Sequence, residues 1–300
     1  MKKHILFLLV MTLLVGAFAP VCASAAVPIQ TVSEGEMEMD YFSFGTGEKV
    51  FVILPGLSVH SVMSAADAVV AAYADFSEEY TVYLFDRAKN ITDGYTVRDM
   101  AADTAKAMKA LGIANADIFG ASQGGMIAQY IAIDYPELVH KLILGSTLAK
   151  ANDTSNRVIG NWVTLAEAHE ETALLESFAD CVYSEATLEA YRDTLISSNA
   201  GITDEEYARF AILAKACLTF DCYDELSAIT CPVLVIGSEG DGVVTPEGSR
   251  EIAEALGCEI YLYGEEYGHG VYDEAPDYRS RCLAFLNDAE NEENSAQSAQ

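Results

Sequence analysis

The most constraining feature of the sequence is the stretch Ala116–Gly125, in which a short apolar run ends in Gly-Ala-Ser-Gln-Gly. A helical pattern of apolar residues follows at once, so Ser122 lies between a predicted strand and a predicted helix. G-x-S-x-G in this context is typical of a nucleophile elbow, a turn so sharp that Gly120 and Gly124 must lack side chains. We therefore predict that the Ser122 hydroxyl stands clear of the backbone and that the amide of Gln123 opens the helix.

Predicted strands and helices alternate through most of the chain. Apolar runs of the kind found in strands buried on both faces are Val50–Leu54, Thr81–Phe85, His140–Leu144 and Pro232–Ile236. Helical patterns separate them, which predicts an α/β fold with a mostly parallel central sheet and helices on both faces. The alternating segment Glu36–Phe44 is expected to supply antiparallel edge strands.

This alternation breaks between residues 150 and 226. The segment contains four helical patterns and no convincing strand: Gly160–His169, Glu171–Ser177, Ala186–Ser197 and Asp204–Leu218. We predict a helical cap at 150–226, inserted after the sixth strand, and an α/β core formed by residues 26–149 and 227–288. Several bulky cap residues are candidates for a substrate pocket, although packing within the cap is the simpler explanation for any single one (Trp162, Phe178, Tyr183, Tyr191, Phe210 and Phe220).

The two ends of the chain differ from the rest. Lys2 and Lys3 precede an apolar stretch, Ile5–Val15, and Ala23-Ser24-Ala25 then provides an A-x-A cleavage site. We predict a cleaved signal peptide at 1–25 and a secreted protein; lipoprotein anchoring through Cys22 is a weaker alternative. No later apolar run approaches the roughly 18 residues of a membrane span. The polar tail at 289–300 is predicted to be disordered.

Charge and cysteine content narrow the class of partner. The formal net charge is −29, and it becomes −31 when Lys2 and Lys3 leave with the signal peptide. A field of that sign repels phosphate backbones and anionic lipid surfaces, which argues against nucleic-acid binding.

The six cysteines of the mature chain are compatible equally with disulfides and with buried free thiols. None has zinc-type spacing with a histidine, so no metal site is expected.

An activated serine requires a base, usually a histidine that a carboxylate orients. Four histidines follow the signal peptide: His60, His140, His169 and His269. Only His269 follows the last predicted strand, Glu259–Tyr263, in a glycine-flanked loop, where it can reach back over the sheet. Asp241, just beyond the strand Pro232–Ile236, is the predicted partner, since Ser, Asp, His is the chain order of such sites. Glu239 is its nearest rival, and Asp153 is a weaker candidate.

Acyl transfer also requires hydrogen-bond donors for the oxyanion. The backbone amide of Gln123 is one candidate. The other is expected in the loop after the first buried strand, most plausibly the amide of Leu57.

These motifs together resemble the α/β-hydrolase superfamily, in the group of small enzymes with a helical cap that includes esterases, proline iminopeptidases and carbon–carbon bond hydrolases. The resemblance covers about Lys49 to Leu286. It rests on Leu54-Pro55-Gly56, Asp86-Arg87, Gly120–Gly125, Gly237–Asp241 with Pro246, and Gly268-His269 followed by Glu274 and Pro276. It implies that Ser122 is the nucleophile, His269 the base and Asp241 the residue that orients the base. Two departures, Pro55-Gly56 for His-Gly and Ala88-Lys89-Asn90 for a glycine-rich turn, weaken any transfer of substrate specificity.

The sequence therefore predicts a secreted serine hydrolase that cleaves a small ester or related carbonyl substrate through an acyl-enzyme. No cofactor is implied. One alternative is a proline iminopeptidase-type aminopeptidase, in which Glu170, Glu171 or Glu176 of the cap would hold the substrate amine. The other is a catalytically inactive ligand-binding member of the same fold.

Overall fold

The structure, a computed structural model, describes residues 27–288. The predicted signal peptide, Cys22 and the polar tail lie outside the described residues. In residues 27–288, every helix is too short or too polar to cross a membrane.

An eight-stranded sheet forms the centre of the molecule, in the spatial order β1-β2-β4-β3-β5-β6-β7-β8. β1 and β2 form an antiparallel hairpin, and β2 also pairs with β4 in antiparallel fashion; all later pairs are parallel. The mostly parallel sheet is thus confirmed. The strands are β1 Gln30–Glu34, β2 Met37–Phe44, β3 Lys49–Leu54, β4 Tyr80–Ala88, β5 Ala116–Ala121, β6 Val139–Gly145, β7 Val233–Ser238 and β8 Glu259–Tyr263.

Within residues 27–288, ten α-helices connect the strands or lie between them. They are α1 Ala66–Ala72, α2 Val97–Ala110, α3 Gln123–Asp134, α4 Asp153–Glu167, α5 Glu171–Val182, α6 Glu185–Ser198, α7 Asp204–Leu218, α8 Thr245–Leu256, α9 Val271–Glu274 and α10 Tyr278–Leu286. Among the described residues, α1, α9 and four 3-10 turns are shorter than eight residues, so the longer helices cover most of the sheet.

The core lies on both faces of the sheet because alternate residues of each strand point to opposite sides. In β3, Val52 and Leu54 join the apolar cluster that contains α2 and α3, whereas Phe51 and Ile53 join the cluster that contains α1 and α10. All four side chains are buried. Burial on both faces explains why this strand reads as a continuous apolar run in the sequence.

Helices α4 to α7 all fall between β6 and β7. The backbone enters and leaves this segment side by side, since Lys150 forms a β-bridge with Asp221 and the Ala151 amide donates to the Phe220 carbonyl at 2.8 Å. We refer to residues 150–226 as the cap segment. The boundaries of the predicted helical cap, at residues 150 and 226, stay a prediction.

Several element boundaries differ from those expected. α4 begins at Asp153 rather than Gly160, because Asn152 and Ser155 form a reciprocal capping box at its start. α3 begins at Gln123, as expected for the elbow, and α8 begins at Thr245, where Pro246 occupies the first turn. The Glu36–Phe44 segment is an inner strand, β2; the edge strand, β1, precedes it and was not predicted.

All six cysteines of the described residues are free thiols. Burial raises the pKa of Cys217 to about 11 and those of Cys222 and Cys282 to about 12, which keeps these three sulfurs protonated at neutral pH.

Candidate active site

Ser122 lies at the carboxyl end of β5, in a turn with strained backbone geometry. Its φ of 53° and ψ of −119° lie outside the regions that L-residues prefer. The turn is compact: a Cβ on Gly120 would lie 2.4 Å from the Gly124 carbonyl oxygen, and a Cβ on Gly124 would lie 1.9 Å from the Leu54 carbonyl oxygen. Both glycines are therefore required by contact, which is the physical meaning of the G-x-S-x-G pattern.

The structure brings Ser122, His269 and Asp241 into one hydrogen-bonded chain. His269 Nε2 lies 2.9 Å from Ser122 Oγ, and His269 Nδ1 lies 2.8 Å from Asp241 Oδ2. His269 and Asp241 are both buried. These distances fall within the range in which a base can take the proton of a serine hydroxyl.

Backbone amides hold Asp241 in place. The N–H groups of Val243 and Val244 donate to Asp241 Oδ1 at 2.9 and 3.0 Å, which leaves Oδ2 to face the histidine. An Asp in a glycine-rich turn often makes such contacts for purely structural reasons. Here the second oxygen reaches His269, so the same turn also orients the imidazole.

The loop that carries His269 is fastened by a buried carboxylate, Glu274. Its Oε2 accepts from the Gly268 amide and its Oε1 from the Ser184 amide, both at 2.8 Å. Because Ser184 precedes α6, Glu274 ties the histidine loop to the cap segment. In the sequence Glu274 was noted only as part of a motif, and its role was not predicted.

The loop after β3 lies against the serine. Leu57 and Gly56 line the same cavity as Ser122, and a Cβ on Gly56 would lie 3.3 Å from Ser122 Cβ. The amide of Gln123 is the first of helix α3, where an α-helix has no carbonyl to accept it. Both predicted oxyanion amides thus belong to segments that border the serine.

Arg87, at the end of β4, binds the loop after β3 through hydrogen bonds. Its guanidinium donates to the Pro55 carbonyl at 2.6 Å and to Gln123 Oε1 at 3.2 Å. Burial lowers the pKa of Arg87 to about 10, so it remains charged at neutral pH. Gln123 Nε2 in turn donates to the Leu213 carbonyl of α7 at 2.8 Å. Asp86-Arg87 was noted in the sequence, but nothing in a single sequence shows where the guanidinium points.

A cavity of about 160 Å³, the first cavity, opens over Ser122 and His269. Apart from Asn199, its cap-segment wall is apolar or aromatic and includes Trp162, Phe178 and Tyr183, three of the aromatic residues singled out in the sequence. The others lie elsewhere: Phe210 and Phe220 are buried in the core, and Tyr191 packs against it.

Two polar residues of α9, Tyr272 and Asp273, also line the first cavity. Asp273 has a single ion-pair partner among the described residues, Arg279, with 3.7 Å between Oδ1 and Nη2. Burial raises the pKa of Asp273 to about 7. Neither residue could be predicted from the sequence, because no pattern after His269 indicates which side chains turn towards the cavity.

The remaining candidates lie away from the serine. His60 is bound to the cap segment, with Nδ1 2.7 Å from Glu206 Oε1 and Nε2 2.9 Å from the Asn199 carbonyl. His140 contacts Asp117, and His169 contacts Asp204. Glu239 pairs with Arg250, and Asp153 is exposed in the first turn of α4.

The three cap glutamates do not line the first cavity. Glu171 Oε2 accepts from the Gly201 and Ile202 amides at 3.1 and 2.9 Å, a contact that ties α5 to the segment before α7. Within residues 27–288, no cluster of three or more His, Cys, Asp or Glu side chains has the arrangement of a metal site.

Comparison with known proteins places these features in context. Residues 49–276 match the family model described as alpha/beta hydrolase fold. A putative carbamate hydrolase, RutD, of Caulobacter sp. (strain K31) is 28% identical over 222 residues, which cover 69% of this chain and 81% of that protein. A putative non-heme bromoperoxidase, BpoC, of Mycobacterium tuberculosis is 30% identical over 203 residues, which cover 62% of this chain and 72% of that protein.

Solved structures show the same fold. MGS-M2, an alpha/beta hydrolase from a Medee basin deep-sea metagenome library, superposes with a TM-score of 0.78 at 23% identity and covers 87% of this chain and 98% of its own. The enol-lactonase of Burkholderia xenovorans LB400 gives a TM-score of 0.74 at 19% identity, covering 86% and 100%.

Proposed function

Because the chain belongs to the alpha/beta hydrolase family, we propose that it is a serine hydrolase that cleaves a small ester or related carbonyl substrate through an acyl-enzyme on Ser122. The observation that carries this proposal is the hydrogen-bonded chain from Ser122 Oγ through His269 to Asp241, with distances of 2.9 and 2.8 Å. Membership of the family supports hydrolysis of a small molecule. That the substrate is an ester and that the reaction passes through an acyl-enzyme is our proposal.

In the proposed reaction, His269 Nε2 takes the proton of Ser122 as Oγ attacks the substrate carbonyl carbon. The imidazolium then gives this proton to the leaving group, and the bond between the acyl carbon and the leaving atom breaks. A water molecule, deprotonated by the same nitrogen, releases the acid and restores the serine. Asp241 accepts a hydrogen bond from the Nδ1 N–H throughout and stabilises the imidazolium. The proton stays on Nδ1, so Asp241 is not itself protonated.

The oxyanion of the tetrahedral intermediate is proposed to accept from the amides of Gln123 and Leu57. The N-terminus of α3 adds a favourable field for negative charge. Arg87 fixes the Pro55 carbonyl and the Gln123 side chain, which holds the two amides in a constant relation. Preorganised donors of this kind do not have to rearrange as charge develops.

The small volume of the first cavity supports a small substrate. The names of a relative and of a structural neighbour, a putative carbamate hydrolase and an enol-lactonase, both refer to carbonyl compounds. Aminopeptidase activity is less well supported, because Glu170, Glu171 and Glu176 do not line the cavity. We also propose that the protein is secreted, on the basis of the signal sequence at 1–25.

The test is labelling of the mature protein with a fluorophosphonate, read by intact mass and peptide mapping, with Ser122→Ala as the control. We expect one adduct, on Ser122, that is absent from the variant, followed by turnover of short-chain aryl esters. A folded protein that forms no adduct would overturn the proposal and favour a ligand-binding role with an inactive triad.

A further inference from the structure

A second cavity, also of about 160 Å³, adjoins the first. It lies between the sheet and α1, where its apolar lining includes Ile53, Leu84 and Phe119 from the strands and Val69 and Tyr73 from the helix side. Neither Ser122 nor His269 lines it, whereas Ala121, the residue before the serine, does. The second cavity thus reaches the residue before the serine but contacts neither the serine nor the histidine.

The two cavities share a boundary. Pro55, Gly56 and Ser58 of the loop after β3, together with Tyr272 and Asp273 of α9, line both of them. Gly56 lies close to the serine at this boundary, since a Cβ there would lie 3.3 Å from Ser122 Cβ and 3.7 Å from the Tyr272 hydroxyl. A group attached to an acyl carbon on Ser122 therefore begins next to the residues that line the second cavity.

The position of His269 determines which cavity receives the leaving group of a substrate and which receives its acyl chain. The leaving atom must receive its proton from His269 Nε2, so the leaving group has to lie beside the histidine. His269 lines the first cavity only. The first cavity consequently suits the leaving group, and the acyl chain is directed to the opposite side of the carbonyl carbon.

We propose that the second cavity binds the acyl chain and that the preferred substrates are esters of unbranched carboxylic acids of medium length. This inference rests on the proposed function. An apolar cavity of roughly 150 Å³ in another protein holds a benzene molecule, so the space here suits about six carbon atoms beyond the carboxyl group. The lining is mostly apolar; its polar side chains are those of Ser58, His60, Ser61, Ser64, Asn199 and Asp273.

The experiment compares kcat/KM for p-nitrophenyl acetate, butyrate, octanoate and dodecanoate. We expect a maximum at octanoate in the wild-type protein. Val69→Phe should lower the ratio of octanoate to acetate about tenfold or more, because the added ring occupies the space of the chain. Val70→Phe is the matched control: it makes the same change at the next residue of α1, which does not line the cavity, and should leave the ratio unchanged.

Ala65→Val, a smaller change in the same cavity, replaces Val69→Phe if that variant fails to fold; it should move the optimum towards butyrate. Leu175→Phe narrows the first cavity alone and should not alter the acyl preference. A shift with Leu175→Phe but not with Val69→Phe would place the acyl chain under the cap segment and overturn the inference. A wild-type preference for acetate would overturn it as well.

Binding without turnover separates this inference from the proposed function. Octanoate, but not acetate, should raise the melting temperature of Ser122→Ala, and Val69→Phe in that background should abolish the rise. Absence of ester turnover together with absence of a fluorophosphonate adduct would refute the serine hydrolase. Absence of octanoate binding in a protein that does form the adduct would refute only the acyl site.

Discussion

At the scale of single residues, the two oxygens of Asp241 have different tasks. Oδ1 accepts two backbone amides and Oδ2 faces His269 Nδ1. An asparagine can keep the first set of contacts through its carbonyl oxygen, but it then presents an NH₂ group to the histidine. The imidazole must reverse its tautomer, and Nε2 then carries a proton when it should accept one.

We therefore predict that Asp241→Asn lowers kcat by about 10⁴ while the melting temperature changes little, a loss of the size known for this substitution in another serine hydrolase. Steady-state kinetics with an aryl ester and a thermal melt measure the two effects. Glu239→Gln is the control, since Glu239 contacts Arg250 at the surface. A comparable loss of kcat in Glu239→Gln would show that the wrong carboxylate had been assigned.

Asp273 provides a second prediction, about stability and pH. Burial raises its pKa to about 7 against the attraction of Arg279, and Glu274 adds repulsion. Between its ordinary pKa and pH 7 the folded protein holds a proton that the unfolded chain releases, so stability falls as pH rises through that window. The loss is at most about 1.4 kcal/mol per pH unit.

In Asp273→Asn this contribution disappears. Urea unfolding at pH 5 and pH 8 should show that the variant gains stability relative to wild type as pH increases. Asp75→Asn, at an exposed carboxylate, controls for the loss of one negative charge. Equal pH dependence of Asp273→Asn and wild type would mean that Asp273 is ionised throughout this range.

The contrast between Ser122 and Asp273 shows what a sequence can reveal of single residues. The closeness of Ser122, Asp241 and His269 could be predicted because each follows a strand, and the strand ends of a parallel sheet meet at one edge. Asp273 and Arg87 could not, because their importance depends on where long or buried side chains point. That direction is set by packing among distant segments and leaves no periodic pattern.

At the scale of the elements, a glycine in the elbow and a glycine in a cap helix have very different surroundings. A Cβ on Gly124 would overlap the Leu54 carbonyl oxygen at 1.9 Å, and that oxygen belongs to backbone that cannot move freely. Gly160, inside helix α4, has nothing within 4 Å of its Cβ position. The same substitution should therefore have opposite effects at these two sites.

Gly124→Ala is predicted to destabilise the protein by at least about 2 kcal/mol, because β3 or the elbow must shift. Gly160→Ala should stabilise it by up to about 1 kcal/mol, since alanine is the better helix former. Chemical denaturation of both variants measures the difference. Equal stability of Gly124→Ala and wild type would show that the elbow and β3 pack less tightly than the structure indicates.

Elements with strong local patterns were predicted well, and those fixed by caps or by pairing were not. β3 and β7 read directly as apolar runs, and α7 matches its expected bounds. α4 began earlier than expected because its first turn is polar and depends on the Asn152 cap. β1 was missed because one buried residue, Val32, gives too little alternation to indicate a strand before pairing with β2 supplies the rest.

At the scale of the whole molecule, the cap segment is fastened to both loops that border the serine. Gly270, next to the histidine, donates to the Val182 carbonyl at 2.7 Å, and Gln123 donates to the Leu213 carbonyl. His60, after the loop that carries Leu57, contacts Glu206 of α7. The segment that covers the first cavity therefore also positions the groups beneath it, a relation that no linear pattern reveals.

The final prediction concerns the mature chain. Small residues at Ala23 and Ala25 fit the A-x-A rule, so export of the full-length protein should yield a chain of 275 residues that starts at Ala26. Intact mass and amino-terminal sequencing of the exported protein measure this directly. Cys22→Ala should leave the mature mass unchanged, because residue 22 departs with the signal, whereas Ala25→Leu should impair or displace cleavage. A mature chain that begins at a lipid-modified Cys22 would instead make the protein a membrane-anchored lipoprotein.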